Sequence, residues 1–409
     1  MTKQKTFSKK KNVLILIETS RSFGRDLIQG ITKYVSETRQ WNHFLCDQFM
    51  AIRNTKSLKQ WEGHGLIARV HDQNLKKFYD EFTGKKINLS ADGKTSPRYV
   101  CLDNEECGRM AANHFLQRGY RHFAFFSMGH TPWSQYRYEC FRSALSAHGI
   151  DCQLCPQARQ KNTYMLPTLW WKGLEYSVTA WIESLPKPVA IFCAYDNHAF
   201  YLVNLCNISG ISVPENVAIL GVDNDESLCL ATAPPISSIN PNAKQIGYEA
   251  AKLLDLMMNR QSLPPLPVVV PPAHIVTRQS TDIIAVDNPL LVKALQFIRT
   301  EISNRILVSD VARELNVSKG TLNNLFRRYL NCSPIEEILR VRMEWAKELL
   351  RDSSYSVASI SNMLGYETPE YFSRAFSREV KMAPMKYRFL YQQKKCSELS
   401  AENIDHFQE

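Results

Sequence analysis

The sequence predicts an α/β, doubly wound protein in two lobes over residues 12–280, followed by an all-α domain with two helix-turn-helix motifs over residues 290–390. Three observations predict it. Up to Ile284, short apolar runs alternate with amphipathic segments, the pattern of parallel strands joined by right-handed helical crossovers. A loop-rich stretch, PLPVVVPPAHIVTRQSTD, then carries the chain out, and the apolar patterns after it have only the helical period. Within that helical region a single skeleton occurs twice, as VSDVARELNVSKGTLNNLFRRYLNCSP at 308–334 and VASISNMLGYETPEYFSRAFSREVKMAP at 357–384. A basic tail (1–11), a linker (281–289) and a C-terminal tail (391–409) complete the division.

Taken in order, the strands of the α/β region are NVLILIE, GLIARV, RYVCLD, HFAFFSM, VAIFCAY and VAILGVD, each apolar enough to be covered on both faces. The helices between them are RDLIQGITKYVSETRQ, CGRMAANHFLQRG, RYECFRSALSAHG and AFYLVNLCNISG. The helical region begins at NPLLVKALQFIRTEI, where Asn288 suits a helix N-cap, Pro289 the first turn, and Leu291, Leu295, Ile298 and Ile302 share one face.

The two copies superpose residue by residue. Val308, Val311, Ala312 and Leu315 match Val357, Ile360, Ser361 and Leu364, while Phe326 and Pro334 match Phe376 and Pro384, with one extra residue in the second copy's turn. Each is a short helix, a tight turn (Asn316-Val317-Ser318 or Gly365-Tyr366-Glu367-Thr368) and a second helix capped by Ser318 or Thr368. Leu322, Leu325, Phe326 and Tyr329 make the buried stripe of the first second-helix, which leaves Lys319, Thr321, Asn323, Asn324, Arg327 and Arg328 outside. In the other copy Tyr371, Phe372, Ala375 and Phe376 supply the anchors, leaving Glu370, Ser373, Arg374, Ser377 and Arg378. Asparagine can bond an adenine edge twice, and arginine or lysine reads guanine or neutralises phosphate, so these faces suit double-stranded DNA.

Charge supports a polyanionic partner. Of the net charge of +10, residues 285–395 carry 18 Lys and Arg against 12 Asp and Glu, and five lysines stand in residues 1–11. Eleven cysteines, an odd number set mostly in apolar stretches, read as reduced thiols of a cytoplasmic protein, and the close pair Cys152 and Cys155 lacks the companions of a zinc or redox motif. The N-terminal apolar run is too short for a signal peptide or membrane span. No metal and no cofactor are expected.

Residues 290–390 resemble the DNA-binding domain of the AraC/XylS family through R-M-E-W-A-K-E-L-L (342–350), I-S-N-M-L-G-Y (360–366), Y-F-S-R-A-F (371–376) and P-M-K-Y-R (384–388). The resemblance implies a linking helix, for which Val341–Leu350 has the length, and two units entering neighbouring major-groove segments. The first 280 residues resemble the lactose-repressor type of sugar-sensing domain, itself like a periplasmic binding protein. That resemblance rests on S-F-G-R-D-L-I-Q-G-I (22–31), V-C-L-D-N-E-E-C-G (100–108), R-G-Y-R-H-F-A-F (118–125), C-A-Y-D-N-H-A (193–199), V-P-E-N-V-A-I-L-G-V-D-N (213–224) and S-S-I-N-P (237–241). Those repressors carry their DNA reader first, whereas this chain carries it last. A sensor followed by an AraC-type reader is the arrangement of bacterial xylose-operon regulators. It implies promoter DNA and a small sugar, D-xylose, as partners, a homodimer, contact with RNA polymerase, and activation of pentose-utilisation genes.

Sugar hydroxyls are held by carboxylates, guanidinium groups and amides, with an aromatic ring over an apolar sugar face. In such sheets the strand C-termini present side chains to the crevice. Asp103, Asp196 and the pair Asp223 and Asn224 end strands in this way. Residue-by-residue carry-over from the repressor family adds Arg137 and supports Asp103 and Asp223, although Cys140 replaces that family's glycine. Asp103 and Asp196 also suit helix caps, and Trp133 suits either a sugar face or a loop plug. Arg21, Phe23 and Arg25, after the first strand, suit the opposite jaw, and Ile28 and Ile31 on the following helix are candidates for a dimer interface. The alternative reading, a sugar-processing enzyme with a helical appendage, finds no nucleophile elbow, HExxH or P-loop to support it. A regulator of the same type answering another monosaccharide remains compatible with these residues.

Overall fold

The computed structural model of the chain describes residues 10–38, 41–53, 58, 61–70, 73–90, 99–129, 131–156, 171–282, 285, 288–302, 304, 306–352 and 355–390. It divides into two compact units, Met1–Ala285 and Val286–Glu409. The expected tails fall almost wholly outside the described residues; Lys11, grouped with the basic tail by its composition, is the first residue of a strand.

The first unit is built on two sheets. Strands β1 (Lys11–Ile17), β2 (Trp41–Asp47), β3 (Gly65–Ala68) and β4 (Lys85–Asn88) pair in parallel in the order β2-β1-β3-β4. A bridge from Asn88 to Tyr99 leads to β5 (Val100–Leu102). The second sheet contains β6 (His122–Phe126), β7 (Cys152–Leu154), β8 (Val189–Cys193), β9 (Val217–Val222) and β10 (Ser237–Asn240). Every residue of β8 and β9 is buried, as strands covered on both faces must be.

The proline-rich exit, read from sequence as loop, holds two further strands. β11 (Val268–Val270) pairs in parallel with β5, and β12 (His274–Val276) closes the second sheet antiparallel to β10, giving the order β12-β10-β9-β8-β6-β7. Both have only three residues, and flanking prolines hide their alternation. The chain therefore passes between the sheets three times: after β5, after β10 and between β11 and β12.

Helices α1 (Ser22–Thr38), α2 (Gln48–Arg53) and α3 (Gln73–Glu81) belong with the first sheet, and α4 (Asn104–Gln117), α5 (Pro132–Ser146), α6 (Trp171–Ser184), α7 (Asp196–Ile208) and α8 (Glu226–Cys229) with the second. Helix α9 (Ala243–Met258) returns to the first sheet and lies along α1. Their approach depends on two reciprocal glycines. A Cβ on Gly30 would stand 1.8 Å from the Lys244 carbonyl oxygen, and one on Gly247 would stand 2.0 Å from that of Leu27. Ile31 lies in this seam with no exposed surface, so it packs the core and presents nothing to a second subunit; Ile28 is partly buried against the same core.

In the second unit α10 (Pro289–Thr300) is capped by Asn288, whose Oδ1 accepts from the backbone N–H groups of Leu290 (3.1 Å) and Leu291 (3.0 Å). Helices α11 (Val308–Glu314) and α12 (Lys319–Leu330) form one helix-turn-helix, and α14 (Val357–Met363) and α15 (Pro369–Val380) the other, joined by α13 (Pro334–Asp352). Met343, Ala346 and Leu350 of α13 share a core with Ile360, Leu364, Phe372, Phe376 and Tyr387, so the linking helix is part of the second motif's interior.

Candidate functional site

Strand ends and helix starts of the two sheets converge on a cavity in the first unit, with about 480 Å³ not filled by atoms, part of it open to solvent. From the first sheet come Arg21 and Phe23 at the start of α1, Arg69 after β3, and Leu89 and Ser90 after β4. Leu102, Asn104, Trp133, Arg137, Tyr195 and Asp223 complete the lining.

Its side chains are held by one another. Arg137 is buried on α5; its Nε donates to Asn104 Oδ1 at 2.8 Å and its Nη1 to the Ala194 carbonyl oxygen. The same guanidinium stands 5.4 Å from the centre of the Trp133 ring, and Trp133 meets Tyr195 edge to face at 5.8 Å. Arg21 lies over Tyr195 at 4.6 Å, and Arg69 over Phe23 at 4.6 Å. Glu18, buried at the end of β1, accepts from Arg69 Nη1 at 2.5 Å and lies 3.9 Å from Arg21 Nη1. Asp223 follows β9 with φ of 114°, a strained conformation for a residue with a Cβ. Burial pushes its carboxyl up to about 6, against the lowering influence of Arg137, Arg69 and Arg21.

Five of the nine residues proposed from sequence therefore line the cavity: Arg21, Phe23, Trp133, Arg137 and Asp223. The other four are engaged elsewhere. Asp103 caps α4, with Oδ1 accepting from the Glu106 backbone N–H at 2.9 Å, and it is the next residue, Asn104, that reaches the cavity. Asp196 is wholly buried: Oδ2 accepts from the Asp225 backbone at 2.7 Å and Oδ1 from Ser238 Oγ at 2.6 Å. Burial and the nearby Asp223 push its carboxyl well above the usual range. Asn224 Oδ1 accepts from Arg278 Nη2 at 2.9 Å. Arg25 donates to the Thr19 carbonyl oxygen at 2.9 Å and lies 3.9 Å from Asp225 Oδ2.

Sequence reasoning passed over Arg69, Ser90 and Asn104. The strand-end rule that singled out Asp223 reaches Arg69 and Ser90 as well, since each stands just beyond a strand. Among the described residues no group of His, Cys, Asp and Glu is arranged to hold a metal ion, and none of the described cysteines is in a disulfide.

In the second unit the capped second helices have the expected geometry. Ser318 Oγ accepts from the Thr321 backbone N–H at 3.0 Å, and Thr368 Oγ1 from that of Tyr371 at 3.1 Å. Asn316 and Gly365 take the positive φ, 53° and 72°, that the two turns require. On α12, Lys319, Thr321, Asn324, Arg327 and Arg328 are exposed and Asn323 half-buried; on α15, Glu370, Arg374 and Arg378 are exposed and Ser373 half-buried. Thr321 Oγ1 is within 2.8 Å of Ser318 Oγ and so belongs to the cap as well. Tyr371, expected among the buried anchors, is 62% exposed; Tyr366 of the turn is buried beside Phe372 instead. Tyr371 stands three residues after its cap, as the exposed Thr321 does in α12, and the two helices bury matching positions, Leu322 and Phe326 in one and Phe372 and Phe376 in the other.

Comparison with known proteins matches residues 12–103 to a family described as XylR N-terminal domain, residues 112–281 to a periplasmic binding protein-like domain, and residues 311–389 to a helix-turn-helix domain. The xylose operon regulatory protein of Haemophilus influenzae is 27% identical over 92% of this chain and 97% of its own length. That of Escherichia coli K12 is 24% identical over 93% and 98%. Among solved structures, the xylose-binding transcription activator xylR aligns with a TM-score of 0.79 over 94% of this chain and 99% of that one, at 23% identity. A dimeric Lac repressor aligns with a TM-score of 0.52 over 68% of this chain, at 15% identity. No described helix is long and apolar enough to cross a membrane.

Proposed function

From a chain homologous over nearly its whole length to xylose operon regulatory proteins, we infer a sugar-responsive, DNA-binding transcription regulator, not an enzyme, whose effector is a pentose, D-xylose first. The observation that carries the ligand class is the cavity's set of groups: one carboxylate, Asp223, among the guanidinium groups of Arg21, Arg69 and Arg137, with Trp133, Tyr195 and Phe23 supplying ring surface. Carboxylate oxygens accept sugar hydroxyl protons, guanidinium and Asn104 groups engage hydroxyl oxygens, and a ring covers the apolar face of a pyranose. Asp103, Asp196, Asn224 and Arg25 act behind this set, holding the backbone that presents it.

Sugar binding can alter DNA affinity only through unequal affinity for two states of the sensor. Contacts to both jaws favour a closed arrangement, Arg21, Phe23 and Arg69 from one side and Arg137 and Asp223 from the other. In the DNA reader, Asn323, Asn324 and Arg374 are assigned to base edges, and Lys319, Arg327, Arg328 and Arg378 to base or phosphate contacts. Thr321, Ser373 and Glu370 complete the two recognition faces. The protein acts in the cytoplasm as a homodimer that sets two reader pairs on repeated half-sites and activates transcription by contact with RNA polymerase.

The test is a calorimetric panel of pentoses and hexoses against the intact protein, then DNA titration with the tightest ligand. D-xylose is expected to bind and to raise affinity for a specific duplex. Tighter binding of another monosaccharide reassigns the effector, and no sugar binding at all overturns the reading. Ultracentrifugation showing only monomers with and without DNA removes the dimer.

A further inference from the structure

The strained turn that carries Asp223 is held from behind by the segment through which the chain leaves the sensor. Asp223 and its neighbour Asn224 both have positive φ, 114° and 48°. Arg278, buried in the exit segment, donates from Nη2 to Asn224 Oδ1 at 2.9 Å and from Nη1 to the Ile236 carbonyl oxygen at 2.8 Å. Its backbone N–H donates to Ser237 Oγ at 2.8 Å, and Ser237 Oγ donates to the Arg278 carbonyl oxygen at 2.8 Å.

From there the bonds run in one direction. With its hydrogen given to Arg278, Ser237 Oγ accepts from Thr281 Oγ1 at 2.7 Å. Thr281 Oγ1, its own hydrogen used, must accept from His114 Nε2 at 2.8 Å. His114 Nδ1 is thereby left as the acceptor for Arg118 Nη1, 3.1 Å away. Arg118 Nε donates to the Thr281 carbonyl oxygen at 2.8 Å, and the Arg118 carbonyl oxygen accepts from the backbone of Ala285, the last residue of the first unit, at 2.7 Å. Helix α4 closes the circuit, since Asn104 at its start faces the cavity and His114 lies in its last turn.

We propose that Arg278 is a positioning residue that transmits occupancy of the cavity to the exit segment, by tying the Asp223-Asn224 turn to Thr281 and Ala285. The inference rests on the sugar reading of the cavity. A turn held in left-handed geometry without glycine has a relaxed alternative, and a ligand bonded to Asp223 favours one arrangement over the other. Arg278 Nε is buried without a hydrogen-bond partner. A displaced turn that set an oxygen on it would satisfy that donor, which gives the two arrangements different energies.

The experiment uses the full chain as wild type, Arg278→Lys and Thr281→Val, with D-xylose as ligand and a duplex selected by the wild-type protein from a random pool. Wild type is expected to show a sugar-dependent change in DNA affinity in the range of about 5–150-fold usual for coupled sites. Both variants are expected to bind D-xylose within about threefold of wild type while that change falls toward unity. Variants that bind D-xylose and respond to it as wild type does overturn the inference. A wild type that ignores every pentose overturns the underlying sugar reading instead. Thr281→Val is isosteric and keeps the test decisive should Arg278→Lys fail to fold.

Discussion

Arg69 and Glu18 meet at 2.5 Å across two neighbouring strands of the first sheet, with Glu18 almost wholly buried and Phe23 beneath the guanidinium. Removing one partner of such a pair strands the other's charge without water, at a cost of about 3–5 kcal/mol. Glu18→Ala should therefore destabilise the first unit by that order in denaturant titration and weaken sugar binding by freeing Arg69 and Arg21. A change under about 1 kcal/mol would mean that water already compensates the pair.

The cavity carboxyl gives a pH test. Asp223 is pushed up to about 6, chiefly by burial, with the Glu18 charge adding to it. Only the ionised form accepts hydroxyl protons at both oxygens. Affinity for D-xylose should fall as the raised carboxyl takes up its proton on acidification, while Asp223→Asn should bind weakly with a much smaller pH dependence. Calorimetry across the range reads both.

Acid should also loosen the fold through His198. Burial, then the charge of Arg21, lowers this imidazole to about 3, and its Nδ1 has no partner. The folded state therefore binds fewer protons than the unfolded chain below the unfolded value of about 6.5. Its contribution is complete above that value and is lost as pH falls toward 3. His198→Phe, which keeps the ring beside Tyr195 and removes the proton site, should spare about 2 kcal/mol of the loss between about pH 7 and 5. Equal acid limbs for wild type and variant in thermal unfolding would refute this.

In the reader, base and phosphate contacts respond differently. Arg374→Ala and Asn323→Ala are expected to lose about 1–3 kcal/mol against a specific duplex and little against random DNA. Arg327→Ala, exposed in the last turn of α12, is expected to weaken both equally and to reduce the salt slope by about 0.9. Titrations at several salt concentrations separate the two classes.

Residues whose own chemistry decides their place could be read from sequence. Asn288, Ser318 and Thr368 stand where helix starts require them, and the short apolar runs of β1, β8 and β9, alternating with helical patterns, read as buried strands. The strands β11 and β12 could not be read, since three residues among prolines show no periodicity and become strands only through β5 and β10. The same limit applied at the cavity. Asp103 stands directly after a strand, Asp196 three residues beyond one and Asp223 directly after another, but neighbouring donors decide which is consumed. The Glu106 N–H takes the first, the Asp225 N–H and Ser238 take the second, and the third is turned into the cavity by its unusual backbone. Tyr371 could not be placed from its ring alone: it stands three residues after its cap, the position that the exposed Thr321 holds in α12.

The three passages between the sheets leave neither lobe as one continuous stretch of chain. Tyr34 on α1 donates to Asp255 on α9 at 3.0 Å across 221 positions of sequence, and among the described strands the partner of β5 is Val268–Val270, made much later. During synthesis the first lobe therefore cannot seal its core until the second has almost entirely left the ribosome, although domains ordinarily fold from the N-terminus onward. A nascent chain stopped near Leu102 would expose the apolar side of α1 along its seam with α9. Until Gly30 meets Lys244, the helix that covers this side of α1 has yet to arrive.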